Sequence, residues 1–286
     1  MPSDPRHDGF YQANRLNWDE RVSVHEASPQ YDRAAFLRNE RPPYPVELAE
    51  IGDVAGRTLL HLQCHFGMDT LGWARLGARV TGIDFSGAAI EAARRLSSES
   101  RLPGRFIEAN LYDAPAVLDE QFDIVYVNIG ALNWLPDVRG WASVVAACAR
   151  PGGILYLYEV HPMFASLDPA RDDQLLVVDY PYFETLDPIQ WDDPATYTDG
   201  PPLLNSRHYE WNHGLGEIVT AIIDAGFRLD FLHEHMDLPW RGLPWLDPVP
   251  APRELWRLPE RVDRVPMMFS LKATRFPDAS PPLEGS

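Results

Sequence analysis

Between about residues 58 and 160 the chain alternates short apolar runs with stretches of helical periodicity, and this alternation restricts the fold more than any other feature. Apolar strands separated by helices of ten to fifteen residues build βαβ units, and such units pack into a parallel sheet with helices on its faces. RTLLHLQ (57–63) reads as the first strand, DTLGWARLGA (69–78) as a helix closed by Gly77, RVTGIDFS (79–86) as the second strand and GAAIEAARRLSSES (87–100) as the second helix. GRFIEANLY supplies a third strand, and FDIVYVNIG a fourth, apolar and β-branched throughout as a strand covered on both faces should be. VRGWASVVAACARPGG reads as a helix stopped by Pro151-Gly152-Gly153, and ILYLYEVH as the fifth strand.

Beyond residue 161 the rhythm breaks. Residues 162–213 are rich in Pro, Asp, Tyr and Trp, with strands expected at QLLVVDYPYF (174–183) and SRHYEWN (206–212), and read as an insertion over the substrate end of the sheet. An amphipathic helix, GLGEIVTAIIDAGF, and two late strands, RLDFLHEHM and PMMFSLKATR, follow. The expected division is therefore an N-terminal helical lid at 1–50, a main domain at 51–276 and a disordered tail at 277–286.

Composition removes several partners. The chain of 286 residues carries 42 acidic against 25 basic side chains, a formal charge of -17, which opposes binding to a phosphate backbone or an anionic membrane surface. No run approaches the roughly 20 apolar residues of a spanning helix, and the N-terminus lacks a secretory pattern. Two cysteines, Cys64 and Cys148, give no disulfide framework, so a reducing cytoplasm is the expected compartment. A homo-oligomer is compatible with these features.

The loop LHLQCHFGMDT (60–70) leaves the first strand, and three readings compete for it. A structural zinc site needs paired ligands at set spacing, but Cys64 adjoins His65 and no second pair follows. A nucleophilic Cys64 needs a base, for which His61 and His65 are at hand. The third reading is a strand-to-helix cofactor loop. It draws support from Asp84, which ends the next strand where a carboxylate can accept the ribose hydroxyls of a nucleotide, and from Gly67 at the helix start, where backbone can approach a ligand.

LLHLQCHFGMDT, VTGIDFS, EANLYDAP, FDIVYVNIGALNWLPD and ARPGGILYLYEVHP, taken in order, resemble the successive motifs of class I S-adenosylmethionine-dependent methyltransferases. The likeness is to a bacterial branch whose first motif reads HLQCHFG in place of acidic-x-Gly-x-Gly-x-Gly, and it covers roughly residues 55–162. It implies an α/β, Rossmann-like sheet of seven strands, mostly parallel with the last antiparallel. It also implies S-adenosyl-L-methionine as cofactor and methyl transfer, while the ligand spacing above points to no metal and the aromatic residues of 162–213 point to a small, largely apolar or aromatic metabolite, as in secondary metabolism. His61 departs from the family's carboxylate, and Gln63, His65 and Phe66 from its small residues.

By the resemblance and the strand-end rule together, Gln63, Gly67, Asp84, Phe85, Asn110, Leu111 and Asn128 are expected at the cofactor, with Asn110 taking the adenine amino group through its side-chain oxygen. Glu159 and His161, leaving the fifth strand, are the expected catalytic pair, Glu159 as general base. Tyr31, Trp134, Tyr182, Arg207, Trp211 and His213 are expected around the substrate, and Arg33 or Arg38 could pair with an anionic group. O-, N- or C-methylation, including that of a prenyl diphosphate carbon, stays open. So does a catalytically silent protein that binds S-adenosylmethionine or a partner. An NAD enzyme is disfavoured, because the loop lacks the glycines that a pyrophosphate requires.

Overall fold

The computed structural model describes residues 5–250 and 254–277. All of the expected tail beyond residue 277 lies outside the described residues.

Three helices precede the sheet: α1 (Asp8–Ala27), α2 (Arg33–Leu37) and α3 (Pro45–Ile51). The alternating region then gives β1 (Thr58–Leu62), α4 (Met68–Arg75), β2 (Arg79–Asp84), α5 (Gly87–Ser100), β3 (Gly104–Glu108), α6 (Ala114–Val117), β4 (Phe122–Asn128), α7 (Val138–Cys148) and β5 (Ala149–Val160). The helix boundaries follow local chemistry. Ser86 accepts the Ala89 N–H at the start of α5, and Asp137 accepts the Gly140 N–H at the start of α7, each satisfying an amide that the helix itself leaves open. The chain continues through α8 (Pro162–Ala165), the hairpin β6 (Ile189–Asp192) and β7 (Arg207–Glu210), α9 (Leu215–Asp224) and β8 (Phe227–His235), then β9 (Asp237–Leu238), β10 (Asp247–Val249), β11 (Leu255–Arg257) and β12 (Met268–Arg275).

The main sheet has seven strands in the order β3-β2-β1-β4-β5-β12-β8. It is parallel from β3 to β5, and β12 runs antiparallel to both its neighbours, β5 and β8. Alternation along the strands sorts two cores. Leu60, Leu62, Val125, Val127, Leu155 and Leu157 pack with Trp141 of α7 and Ile218 of α9, while Leu59, Ile124, Tyr126 and Tyr156 pack with Ile51 of α3 and Trp73 of α4. Every residue of β4 is buried, as its continuous apolar run requires. Strand order reverses beside β1, so a crevice opens at the carboxyl ends of β1 and β4.

The region after residue 161 departs from expectation. QLLVVDYPYF is not a strand: Val178 makes a single bridge to Leu167, and Leu175 and Val178 are exposed. The run finds no neighbouring strand to complete a ladder. The hairpin instead pairs β7 with β6, which the sequence did not announce, and the three-stranded sheet β10-β11-β9 sits in the connection before β12.

No described helix is long and apolar enough to cross a membrane.

Candidate active site

The loop between β1 and α4 keeps the backbone of a glycine-rich turn without its glycines. Gln63, His65 and Gly67 all have positive φ, at 57°, 49° and 74°. For Gln63 and His65 this left-handed conformation costs on the order of 1 kcal/mol each. Two contacts hold it: the His65 N–H donates to Asp84 Oδ2 at 2.8 Å, and Gln63 Nε2 donates to the Ala131 carbonyl at 2.9 Å.

Gly67 also serves packing. A Cβ there would come within 2.6 Å of the Phe106 ring and 2.9 Å of Ala93 Cβ, so the glycine lets α4 seat against β3 and α5. Gly67→Ala, strained by both φ and overlap, is expected to destabilise the fold by about 3 kcal/mol in urea denaturation. Cys64 is equally structural: its sulfur packs on Gly82, and burial pushes its thiol pKa well up, away from the nucleophilic thiolate. Among the described residues no group of three or more His, Cys, Asp or Glu side chains could hold a metal ion.

Asp84 ends β2 buried, its Oδ1 accepting the Ser86 N–H at 2.9 Å while Oδ2 takes His65. Burial raises its pKa to about 6 against the opposing effect of those amides. Gln63, Gly67, Asp84, Phe85 and Asn128 line a small cavity of about 90 Å³ at the ends of β1, β2 and β4. Asn110 and Leu111 do not line it. Asn110 Oδ1 caps the following turn by accepting the Tyr112 N–H at 3.0 Å, which leaves that oxygen one lone pair.

Helix α1 closes this cavity. Asn14, Asn17, Arg21 and His25 recur at helical spacing on its buried face, beside Trp18. The His25 and His65 rings meet at 3.0 Å, and burial lowers their pKa values to about 2 and about 3, which keeps both neutral. The outer side of α1 is tied to α5 through Asp19, which accepts from Ser86 Oγ at 2.6 Å. Its other side is tied to the hairpin, with Asn14 and Tyr209 exchanging two hydrogen bonds of 2.8 and 2.7 Å.

A second cavity of about 570 Å³ adjoins the first, and Trp18, Tyr31, Met68, Asp69, Asn128 and Trp134 belong to both walls. Trp211, His213, Tyr180, Trp191, Trp240 and Phe164 enlarge its aromatic lining. Of the residues expected at a substrate, Tyr31, Trp134, Trp211 and His213 reach this cavity. His213 is fixed there, its Nδ1 at 2.8 Å from Glu184 and its Nε2 at 2.8 Å from the Leu135 carbonyl. Tyr182 and Arg207 do not reach it: the Tyr182 hydroxyl accepts the Leu215 N–H at the start of α9, and exposed Arg207 pairs with Asp192 at 3.2 Å. Arg33 and Arg38 are likewise spent on Glu99 and Glu40.

The expected catalytic pair needs correction. Glu159 borders the large cavity, but its carboxylate accepts four backbone N–H groups: Gly130 at 2.5 Å and Val160 at 2.7 Å on Oε1, Ala131 at 2.7 Å and Leu132 at 3.1 Å on Oε2. It shapes the turn after β4 and has no lone pair to spare for a proton. His161 caps α8 by accepting the Met163 N–H at 3.0 Å, has Nε2 3.0 Å from Glu234, and lines neither cavity.

A further buried carboxylate, Glu210, stands at the end of β7 and is not among the residues expected from the sequence. It lines the large cavity, with Asn133 and Trp191 as neighbours and His208 Nε2 at 3.8 Å. Burial raises its pKa to about 7, while the charge of Arg21 acts in the opposite direction. The signal for it was the acidic residue at the end of an expected cap strand, between Tyr209 and Trp211. For α1 the signal was a polar stripe at helical spacing. Both were visible, but neither is apolar, and apolar periodicity was the guide.

Residues 60–155 match the protein family described as "Methyltransferase domain". A ubiquinone biosynthesis O-methyltransferase from Alkalilimnicola ehrlichii is 34% identical over 121 residues, which cover 41% of this chain and 44% of that protein. The chain thus spans less than half the length of this relative. An S-adenosylmethionine dependent methyltransferase structure from Mesorhizobium loti superposes with a TM-score of 0.51 at 20% identity, over 81% of this chain and 96% of that one. A structure described as "Conversion of a Disulfide Bond into a Thioacetal Group during Echinomycin Biosynthesis" superposes with a TM-score of 0.57 at 19% identity, over 93% and 94%. At these identities the structural likeness concerns the fold. Residues 60–155 span the crevice at β1 and β4 and supply the loop, Asp84 and Asn128.

Proposed function

We propose that this chain is an S-adenosylmethionine-dependent methyltransferase acting on a small, flat organic acceptor through an O–H or N–H group, with Glu210 receiving the acceptor's proton. The observation that carries the reading is the pair of adjoining cavities with a common wall at the carboxyl ends of β1 and β4. One is bordered by a loop and carboxylate suited to a nucleoside, the other by aromatic rings and an ionisable acid. The match to the methyltransferase-domain family and the fold neighbours support it.

The residues at the small cavity fit the cofactor. Gln63 Oε1 and His65 Nδ1 are buried without a partner, and the Asp84 carboxylate, though it accepts the backbone N–H groups of His65, Ser86 and Phe85, keeps acceptor capacity for a ribose hydroxyl. The small cavity of about 90 Å³ is open to a ligand together with the 570 Å³ cavity that adjoins it, the two sharing Trp18, Asp69 and Asn128 in their walls. When bound, S-adenosylmethionine supplies an electrophilic methyl group on a sulfonium. The chain's own part is to hold the acceptor among Trp134, Trp211 and Tyr31, exclude water with α1 and the hairpin, and take the proton at Glu210. Positioning of this kind supplies up to about 7–11 kcal/mol of a barrier in favourable cases.

Calorimetry with S-adenosylhomocysteine in EDTA should give binding in the micromolar range. Asp84→Asn, which removes the charge from the ribose contact, should weaken it roughly tenfold to a hundredfold. An unchanged affinity would remove Asp84 from the cofactor site, and no binding by the unaltered protein would sink the proposal.

A further inference from the structure

Arg21 is the least explained charge in the molecule. It is 5% exposed, and its Nε donates to Asn17 Oδ1 at 2.7 Å. Asn17 is itself locked to the Asn205 carbonyl at 2.6 Å, so the hairpin fixes the direction of the guanidinium. Its carbon lies 5.2 Å from the Trp18 ring centroid and 5.5 Å from that of Trp134. Among the described residues no carboxylate pairs with it and neither terminal nitrogen has a hydrogen-bond partner, yet the residue lines the large cavity and not the small one. The two NH₂ groups of this largely buried residue are therefore open to the cavity, and their forked geometry matches a carboxylate.

We infer that Arg21 is the specificity determinant of the large cavity and selects a planar acceptor molecule bearing a carboxylate, whose oxygens meet the two NH₂ groups while its ring lies among the tryptophans. A monoanion suits the charges present. Asp32, Asp69, Glu159, Glu210 and Glu254 line the same cavity as Arg21 and Arg41, so a dianion such as a phosphate monoester would add to the acidic excess, whereas one carboxylate neutralises Arg21. Neutralising Arg21 also removes the charge that holds down the Glu210 pKa, so the arriving substrate makes its own proton acceptor more basic. This inference rests on the methyltransferase reading for its cofactor but not for its geometry.

The test titrates 2-naphthoate and its uncharged counterpart 2-naphthamide into protein saturated with S-adenosylhomocysteine. The unaltered protein should prefer the carboxylate by about tenfold or more. Arg21→Gln should erase that preference while leaving S-adenosylhomocysteine affinity within about twofold, and Arg21→Lys, which keeps the charge but not the fork, should retain part of it. Equal binding of the two probes by the unaltered protein overturns the inference, as does a parallel loss of S-adenosylhomocysteine affinity in Arg21→Gln, which would give the guanidinium to the cofactor's carboxylate. If Arg21→Gln does not fold, a reduced preference in Arg21→Lys supports the fork and an unaltered preference overturns it. Failure of the unaltered protein to bind S-adenosylhomocysteine would refute the proposed function instead, and is read separately.

Discussion

Glu210→Gln should lower turnover by about 10² to 10⁴ while leaving the affinity for S-adenosylhomocysteine unchanged, because Glu210 lines the large cavity and not the small one. The pH profile supplies the sharper readout. A proton acceptor must be ionised, and burial lifts Glu210 to about 7, so kcat/KM of the unaltered enzyme should fall as pH drops below about 7. The Gln variant should lack that limb. Arg21 opposes the upward shift, so Arg21→Gln should move the limb to higher pH. Stability moves the other way. A carboxylate whose folded pKa lies above its unfolded value binds more protons when folded, so its contribution to stability declines as pH rises from about 4.5 to about 7. Glu210→Gln should flatten that decline in urea denaturation series at stepped pH. A fully active Gln variant with an intact acid limb would remove Glu210 as the proton acceptor and give the limb to another ionisable group.

What could be read from the chain divides along physical lines. The β1–β5 core was legible because apolar periodicity is a local property: Leu59 to Leu62 and Phe122 to Asn128 are continuous apolar runs bounded by turn signals, Asp84 ends the second such run, and Gly67 opens the helix after the first. The antiparallel β12 followed from resemblance. The cap was not legible, since Ile189–Asp192 forms a strand only because Arg207–Glu210 lies beside it, and Leu175 to Val178 fails to form one for want of a partner. The site was half legible. Strand-end position identified Asn128 and Asp84, but the role of a carboxylate depends on what points at it. Nothing in the sequence tells that four amides converge on Glu159 while Glu210 faces open volume. Arg21 was hidden for a related reason. Polar residues on a helix read as a solvated face until the hairpin is seen to cover them.

Glu159→Gln tests that distinction from the side of stability. Two N–H groups, from Gly130 and Val160, converge on one carboxylate oxygen, and two more, from Ala131 and Leu132, on the other. Glutamine keeps one oxygen and so can serve one pair, but it turns an NH₂ toward the other. Two buried donors then lose their acceptor and face a third. Each unmet buried donor costs about 1–3 kcal/mol, so the variant should be destabilised by about 3 kcal/mol or more, seen as a lowered urea midpoint with the slope unchanged. The carboxylate is not itself a comfortable anion: burial raises its pKa despite the four amides, so its ionisation also becomes a cost as pH rises from the unfolded value toward the folded one. That cost disappears in the Gln variant, and its deficit relative to the unaltered protein should therefore narrow as pH rises through this interval. A Glu159→Gln protein of normal stability but without turnover would reverse the assignment and return the proton to β5. A destabilised protein that still binds S-adenosylhomocysteine and turns over at low temperature would leave Glu159 holding the turn after β4 and Glu210 taking the proton.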